Sequence, residues 1–363
     1  MTRPLIALLG RKDEPTDAVE EYCRYLGAAL KDHDMELEIR RVPWDTHGWS
    51  AALKALGLQA SRWRDCWVLV QYTALAWSAR GFPQRVLRVC KILKTAGARI
   101  AVVYHDVEPF PGARIIDRLR RAAQVRTMHH ALEMSDLAVF TVPTEKVSWV
   151  AGSSSNTHFI PVGANLPIGV NDSWQTASRD DWSVPTIAVF SITGGEAGAR
   201  ETQVIIGAAR HVSQNLGALY LSVFGRHAEL REAELRTSLE NCAVELSVEG
   251  VLEPAQVVEK LSAADLLLFI RGPISSRRGS AIAGIACGLP VVAYPGPETA
   301  APITDAGVIL VHPDRPGQLH DAVLRILSDP ETRQDLAARS RRAYQAHFSW
   351  PTIAGRFAVL LKE

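Results

Sequence analysis

The chain has 363 residues, and at about 150 residues per domain this length predicts two domains. Hydrophobic residues make up 47% and charged residues 22%, a balance that fills sizeable cores and excludes a largely disordered chain. Lys and Arg number 40 and Asp and Glu 39, which argues against a general nucleic-acid-binding protein because such proteins carry a large basic excess.

In the first half of the chain, short apolar runs alternate with amphipathic segments. Runs of this length, bounded by polar breaks, are typical of parallel strands that helices cover on both faces. The intervening segments, for example Asp17 to Asp32 and Pro83 to Lys94, carry apolar residues at helical spacing. The alternation predicts a doubly wound α/β domain over residues 1–163. The runs are Leu5 to Leu9, Glu38 to Val42, Trp67 to Val70, Ile100 to Tyr104 and Leu137 to Phe140.

Residues 164–185 lack this periodicity and are rich in Asn, Asp, Ser, Pro and Gly, which predicts a linker. The alternation of strand and helix then restarts and predicts a second α/β domain over residues 186–345, followed by a C-terminal helix over 346–363. The six predicted strands of this domain are Ile187 to Phe190, Leu219 to Phe224, Val244 to Val251, Leu266 to Ile270, Val291 to Tyr294 and Val308 to Val311.

The cysteine pattern and the hydropathy bear on the compartment. Five cysteines lie far apart without a C-x-x-C pair, so neither a disulfide framework nor a zinc site is predicted. The apolar run at the N-terminus is typical of a buried strand and is too brief for a signal peptide. No stretch approaches the roughly 18 apolar residues of a membrane-spanning helix. We therefore expect a cytoplasmic protein.

His105 and Asp106 follow the fourth apolar run, where a strand is predicted to end. Ligands of open α/β sheets bind at the carboxyl ends of strands, so the loops there are candidate sites. An imidazole in such a loop can act as an acid, a base or an oriented dipole, and a carboxylate can fix its tautomer. We predict both residues as catalytic; the alternative is that the histidine only satisfies local backbone groups.

Two turns of small residues follow strands of the second domain. Gly194 and Gly195 precede a predicted helix that carries Arg200 near its start, and Gly225 comes directly after the next strand. Small residues let backbone amides approach a phosphate, and a helix N-terminus favours an anion. We predict these four residues as anion-binding. The alternative is a plain turn, since neither G-x-G-x-x-G nor a Walker A motif is present.

A third candidate is the turn that connects the strand Leu266 to Ile270 with a helix of small residues ending at Cys287. Two adjacent arginines, which we expect to be exposed, offer bidentate donors beside hydroxyl groups and backbone amides, an arrangement that suits a diphosphate. A solvated basic turn is the alternative. The predicted anion-binding residues of this turn are Ser275, Ser276, Arg277, Arg278, Gly279 and Ser280.

A family resemblance emerges from the second half. Glu249 to Ile270, followed by the A-C-G-L-P-V-V-A element at Ala286 to Ala293, resembles the second domain of GT-B retaining glycosyltransferases, in particular glycosyltransferase family 4. The resemblance implies two Rossmann-like, doubly wound domains that face a central cleft, and a last helix that returns toward the N-terminal domain. Further elements follow in the family's order: Pro295 to Glu298, Ala306 to Val308, Val311 to Asp314 and Phe348 to Trp350, with Phe159 to Asn165 similar to its interdomain element.

The chain departs from the family at one motif. The family carries two glutamates, separated by seven residues, before the A-C-G-L-P-V-V element, and Ser275 and Ala283 stand at those positions. In the family the first glutamate helps at the reacting sugar and the second commonly holds the nucleotide ribose. We expect a divergent subgroup in which Arg277, Arg278 and Ser280 form a variant donor site.

The resemblance implies a retaining glycosyltransferase, a hexosyltransferase, that moves a sugar from a nucleotide-diphosphate sugar to a glycan, lipid-linked or small-molecule hydroxyl acceptor. His105 would lie near the sugar, and the predicted anion-binding residues would hold the donor. Guanidinium groups can neutralise a leaving diphosphate, so we expect neither a metal nor another cofactor. The alternative is a non-catalytic GT-B protein that binds a nucleotide or glycan and acts with a partner; the sugar, the acceptor and the oligomeric state stay open.

The segment from Gly112 to Arg126 interleaves five arginines with apolar residues. A helix there would have a basic side beside an apolar one, which suits peripheral contact with a membrane that carries a lipid-linked acceptor. The more common alternative for such helices is an apolar stripe that faces the core, with the arginines in solvent.

Overall fold

The computed structural model describes residues 4–14, 16–110, 112, 114–150, 156–168 and 184–362. The chain forms two compact units. The first comprises residues 1–162 and 350–363, and the second comprises residues 163–349. Residues 169–183 of the predicted linker lie outside the described residues.

The first unit is built on a six-stranded parallel sheet with helices between the strands. The strand order is β2-β1-β3-β4-β5-β6, and every neighbouring pair is parallel. The strands are β1 (Leu5–Leu9), β2 (Leu37–Arg41), β3 (Trp67–Tyr72), β4 (Arg99–Tyr104), β5 (Leu137–Phe140) and β6 (Thr157–Phe159). The helices are α1 (Ala18–Leu30), α2 (Trp44–Ala60), α3 (Val86–Thr95) and α4 (Ile115–Met134).

Burial explains why these sequences form this sheet. β1, β3 and β5 are buried along their whole length, as continuous apolar runs covered on both faces require. β2 lies at the edge and is only half-buried, which fits its charged residues at Glu38, Arg40 and Arg41. The sequence therefore distinguishes central from edge strands by the length of the apolar run.

The second unit repeats the architecture with the strand order β12-β11-β10-β7-β8-β9, again all parallel. The strands are β7 (Thr186–Phe190), β8 (Leu219–Phe224), β9 (Val244–Glu249), β10 (Leu266–Pro273), β11 (Val291–Tyr294) and β12 (Val308–Leu310). The helices are α5 (Gly195–Leu216), α6 (Glu232–Leu239), α7 (Pro254–Ser262), α8 (Gly279–Ala286), α9 (Pro316–Ser328) and α10 (Pro330–Ala343). The predicted α/β class is confirmed for both halves.

The last helix, α11 (Trp350–Lys362), belongs to the first unit and packs on α1. The Trp350 ring stacks on Tyr25 at 5.7 Å between centroids and meets the edge of Tyr22 at 5.3 Å. The indole N–H of Trp67 donates to the Leu361 carbonyl at 2.8 Å. Apolar residues of α11 and of the sheet share one buried cluster, so this helix completes the core of the first unit.

Helix α4 does not follow the alternative in which its apolar stripe faces the core. Gln124, Thr127, Met128 and Ala131 are its buried side chains, whereas apolar residues of its first two turns are exposed. The arginine-rich segment therefore does not direct its apolar stripe into the core. Among the described residues, no helix has both the length and the hydropathy that a membrane crossing requires.

Candidate functional site

The loops after β7 and β8 are tied together at the carboxyl edge of the second unit's sheet. The Ser191 N–H donates to the Phe224 carbonyl at 2.6 Å, and the Ile192 N–H donates to the Arg226 carbonyl at 3.0 Å. In return the Arg226 N–H donates to Ser191 Oγ at 3.2 Å. The two loops thus form one rigid platform at the place where open α/β sheets bind ligands.

The backbone of this platform is strained. Ser191 and His227 have φ of 70° and 62°, which are uncommon for residues other than glycine. Gly225 has φ of 94°, and a Cβ there would lie 2.5 Å from Ser191 Oγ, so only glycine fits. Strained conformations concentrate at functional sites, because surrounding structure must hold them against their energetic cost.

The N-terminus of α5 belongs to the same platform. Gly194 caps the helix in an extended conformation, and Gly195 follows with φ of 65° and open space where a Cβ would stand. Glu201, one and a half turns into the helix, is buried, and its carboxylate accepts the Thr193 N–H at 2.7 Å. The two predicted glycines therefore lie at the start of α5, and the Glu201 carboxylate fixes the loop that precedes the helix.

Arg271 is the cation that the sequence prediction missed. It lies near the end of β10 and is half-buried, and its buried Nε has no hydrogen-bond partner within the part of the chain that the structure describes. Burial lowers the pKa of its guanidinium, the Glu201 carboxylate opposes that shift, and the Arg226 guanidinium adds to it. Two guanidiniums and one buried carboxylate leave a net positive charge, which is the condition for binding an anion.

Arg200 does not belong to the cluster of Arg271, Arg226 and Glu201. Its side chain is 75% exposed and lies 3.9 Å from the Glu196 carboxylate one turn earlier on α5. An exposed pair of this kind holds a side chain only weakly. Of the residues predicted on these two loops, the structure gathers Gly194, Gly195 and Gly225 on the platform and leaves Arg200 on the solvent side.

The turn before α8 is held by an ion pair. The Arg277 guanidinium donates two hydrogen bonds to the Glu298 carboxylate, both at 2.7 Å, and the Ser275 hydroxyl donates to the same carboxylate at 3.1 Å. Burial alone would raise the pKa of Glu298, but the hydrogen bonds and charge of Arg277 hold it below its usual range. The expectation of two exposed guanidiniums is wrong: both arginines are half-buried, and Arg277 is committed to Glu298.

The other residues of this turn divide by burial. Ser275 and Ser276 are buried, Gly279 is exposed, and Gly279 and Ser280 form the first two positions of α8. Arg278 caps this helix, and its Nη2 lies 3.9 Å from where a Cβ on Gly272 would be, beside Arg271. Ala283, at the second glutamate position of the family motif, is buried.

In the first unit, the ends of β3 and β4 meet at His105. Its Nε2 lies 2.8 Å from Oε1 of the buried Gln71, and the Tyr22 ring meets the imidazole edge-on at 4.9 Å. The Asp106 carboxylate accepts the Ala74 N–H at 2.8 Å. The sequence suggested that a neighbouring carboxylate fixes the tautomer of His105, but Gln71 is the residue in position to do so. Gln71 is a polar residue near the end of an apolar strand, and the sequence prediction missed it.

Asp106 and Gln71 also line a cavity of about 240 Å³ at this edge of the first sheet. Its wall combines charged and polar side chains with apolar ones, a lining that can take a hydroxyl-bearing molecule. The other lining residues are Leu9, Gly10, Arg11, Lys12, Asp13, Asp17, Ala18, Val19, Thr73, Leu75 and Ala76. Within the described ranges, no group of His, Cys, Asp and Glu side chains is arranged to hold a metal ion.

Comparison with known proteins identifies the fold. No protein-family model matches the chain, and no curated protein matches its sequence. Among solved structures, it is similar to HepE of Anabaena in complex with UDP and glucose, with 15% identity over 99% of this chain and 100% of HepE and a TM-score of 0.66.

Two further matches have the same extent. Sucrose-phosphate synthase from Thermosynechococcus elongatus is 18% identical over 99% of this chain and 98% of its own, with a TM-score of 0.70. WaaG, a glycosyltransferase involved in lipopolysaccharide biosynthesis, is 15% identical over 98% and 99% of the two chains, with a TM-score of 0.58. These matches confirm the predicted GT-B fold.

Proposed function

We propose that this protein is a glycosyltransferase that moves a sugar from a nucleotide-diphosphate sugar to a hydroxyl group of a glycan, a lipid-linked or a small-molecule acceptor. The observation that carries the proposal is the platform of the second unit, where a helix start, strained turns at Ser191 and His227 and two guanidiniums meet at the carboxyl edge of the sheet. Arg271 is half-buried there and its buried Nε has no hydrogen-bond partner among the described residues, so an anion would complete its hydrogen bonds.

The chemistry follows from the charge of the leaving group. In the reaction the bond between the anomeric carbon and the phosphate oxygen breaks, the acceptor oxygen bonds to that carbon, and negative charge grows on the departing diphosphate. In this proposal Arg226 and Arg271, with Arg278 beside Gly272, neutralise that charge, and the α5 start at Gly195 adds backbone amides. In this proposal the guanidiniums take the part that a metal plays elsewhere.

The remaining assignments rest on the family resemblance. Retention of configuration and transfer of a hexose are part of the proposal on that ground, as is the placing of His105 and Asp106 near the reacting sugar. The cavity that Asp106 lines is the candidate acceptor site. All five cysteines are free, which fits a reducing compartment such as the cytoplasm.

A panel of nucleoside diphosphates tests the donor site directly. HepE was solved with UDP and with UDP-glucose, so these are the first probes, beside GDP and ADP. A ligand that binds only the folded protein stabilises it, by about 1.4 kcal/mol at ten times its dissociation constant. We expect one nucleoside diphosphate to raise the melting temperature by about 3 to 5 °C at that concentration, while the matching nucleoside raises it by less than 1 °C. A flat response to the whole panel would contradict the proposal.

A second candidate is supported by the residues at the family's glutamate positions. Ser275 is buried and bonded to Glu298, and Ala283 is buried without a polar group, so neither can act as the usual glutamate does. A GT-B protein that binds a nucleotide or glycan but transfers nothing would have this site. Release of nucleoside diphosphate from the bound donor, followed over hours with and without acceptor, separates the two, because only the enzyme turns the donor over.

A further inference from the structure

A polar side chain is buried near the end of strand β3. Gln71 is 1% exposed and stands between Val70 and Tyr72, in a strand that is buried along its whole length. A buried amide costs free energy unless its donor and its acceptor groups find partners. Here Nε2 donates to the Leu69 carbonyl at 3.3 Å, and Oε1 lies 2.8 Å from Nε2 of His105. The second contact links the core of the sheet to the candidate reacting site.

The backbone on both sides of this contact is fixed. β3 and β4 pair with Tyr72 opposite Tyr104, and the His105 N–H donates to the Tyr72 carbonyl at 3.0 Å. The Gln71 carbonyl accepts the indole N–H of the fully buried Trp77 at 2.9 Å. The register of the sheet therefore brings the amide and the imidazole together.

The orientation of the amide determines which ring nitrogen of His105 carries the proton. Because Nε2 of Gln71 faces the Leu69 carbonyl, Oε1 is the atom that faces the imidazole. The reverse orientation would set Oε1 against a carbonyl oxygen, which are two acceptors with no proton between them. An amide oxygen only accepts, so His105 donates through Nε2, and in the neutral ring the lone pair is then on Nδ1.

The groups that meet the imidazole are neutral. A carboxylate partner fixes the tautomer of a histidine and also stabilises the imidazolium, whereas the amide of Gln71 fixes the tautomer alone. Tyr22 of α1 meets the ring edge-on, and burial raises the pKa of its phenol, so it is uncharged as well. The Asp106 carboxylate, next along the chain, accepts the Ala74 N–H. The charged side chains that line the adjoining cavity are Arg11, Lys12, Asp13, Asp17 and Asp106.

We propose that Gln71 is a positioning residue that holds His105 as the neutral imidazole with its proton on Nε2. The ring then offers Nδ1 as a hydrogen-bond acceptor, and its neutral partner adds no stability to the imidazolium. In the transfer reaction His105 accepts a hydrogen bond from a sugar hydroxyl and gives no proton to it, a role that rests on the proposed function. The tautomer itself does not depend on that function.

The test is nitrogen-15 NMR of the full-length protein labelled at its eleven histidines, with an H105Q variant used only to assign the signals. We expect the His105 ring of the original protein to be protonated at Nε2. This proton should exchange with water at least about ten-fold more slowly than in Q71M, because methionine removes the buried acceptor that holds it.

The variant Q71E separates the tautomer from the charge. Its carboxylate keeps the acceptor for the Nε2 proton, so protection from exchange should be retained. The added negative charge should raise the midpoint of the His105 titration by about one pH unit or more. A matched control, Q59E, makes the same change at an exposed position of α2 and should leave both readings as they are in the original protein.

The proposal is wrong if the original protein carries the His105 proton on Nδ1, a result that needs no variant. It is also wrong if Q71M keeps the protected Nε2 proton, or if Q71E and Q59E shift the titration equally, since another group would then set the ring. Thermal unfolding identifies a variant that does not fold. None of these spectra uses a donor, so a flat response to nucleoside diphosphates would contradict the proposed function alone.

Discussion

Replacing Arg271 with methionine should weaken binding of the nucleoside diphosphate by about 10- to 100-fold while the protein stays folded. A hydrogen bond from a charged donor to phosphate is worth about 1.5 to 3 kcal/mol, and methionine keeps the apolar stem of the side chain without the guanidinium. Because burial already disfavours this guanidinium in the unliganded protein, stability should be unchanged or slightly higher. Calorimetric titration gives the affinity, and thermal unfolding without ligand gives the stability.

The control for this variant is R236M. Arg236 lies on α6, is 55% exposed and pairs with Glu232 at 2.7 Å, so the same change there removes one charge from the unit without touching the platform. Its nucleotide affinity should stay within about two-fold of the original. If R271M also stays within two-fold while folded, Arg271 does not contact the diphosphate, and the buried charge must have another cause.

The fold could be predicted because its determinants are local and repeated. Continuous apolar runs such as Trp67 to Val70 are typical of strands that helices cover on both faces. Because a helix connects each strand to the next, neighbouring strands run parallel. The short edge strand β6 has no such run, and its three residues are half-buried. It was absent from the predicted strands because edge pairing adds little apolar patterning to the sequence.

The candidate site could be predicted only in part. Gly194, Gly195 and Gly225 were found because a strand followed by small residues is a local signal. Arg271 was missed because the charges that surround it, the Glu201 carboxylate and the Arg226 guanidinium, lie in other segments of the chain. A charged residue that directly continues an apolar strand was the available signal, and it was outweighed by the adjacent pair of arginines.

The arginine pair shows the limit of the same reasoning. Side chains in a basic turn are exposed unless a carboxylate from elsewhere meets them, and Glu298 lies 21 residues beyond Arg277. Thr299 adds a second tie, since its hydroxyl donates to the Ile274 carbonyl at 2.6 Å. The loop after β11 therefore holds the turn before α8 in place. Local sequence patterns do not predict this contact, because its partners are more than 20 residues apart.

The contact between Arg277 and Glu298 predicts that Glu298→Gln lowers the melting temperature by about 4 to 8 °C at pH 7. The glutamine keeps the size of the side chain but leaves the half-buried Arg277 without its countercharge, at a cost of about 2 kcal/mol. Thermal unfolding followed by circular dichroism measures the effect. The matched change Glu232→Gln breaks a surface pair with Arg236 and should shift the melting temperature by less than about 2 °C.

The pH dependence of the same pair fixes the sign of its contribution. The pKa of Glu298 is lower in the folded protein than in the unfolded chain, where a glutamate titrates near about 4.3. Its stabilisation is therefore fully present above that value and is lost as the pH falls through the lowered pKa of the folded state. The difference in melting temperature between the original protein and E298Q should be constant from about pH 7 to 5 and shrink below about pH 4.

The double variant R277M/E298Q should recover part of the loss, because it removes both charges instead of one. If E298Q instead behaves like E232Q at every pH, Arg277 is not held by Glu298 in solution, and its guanidinium can reach the donor diphosphate as expected for a variant donor site.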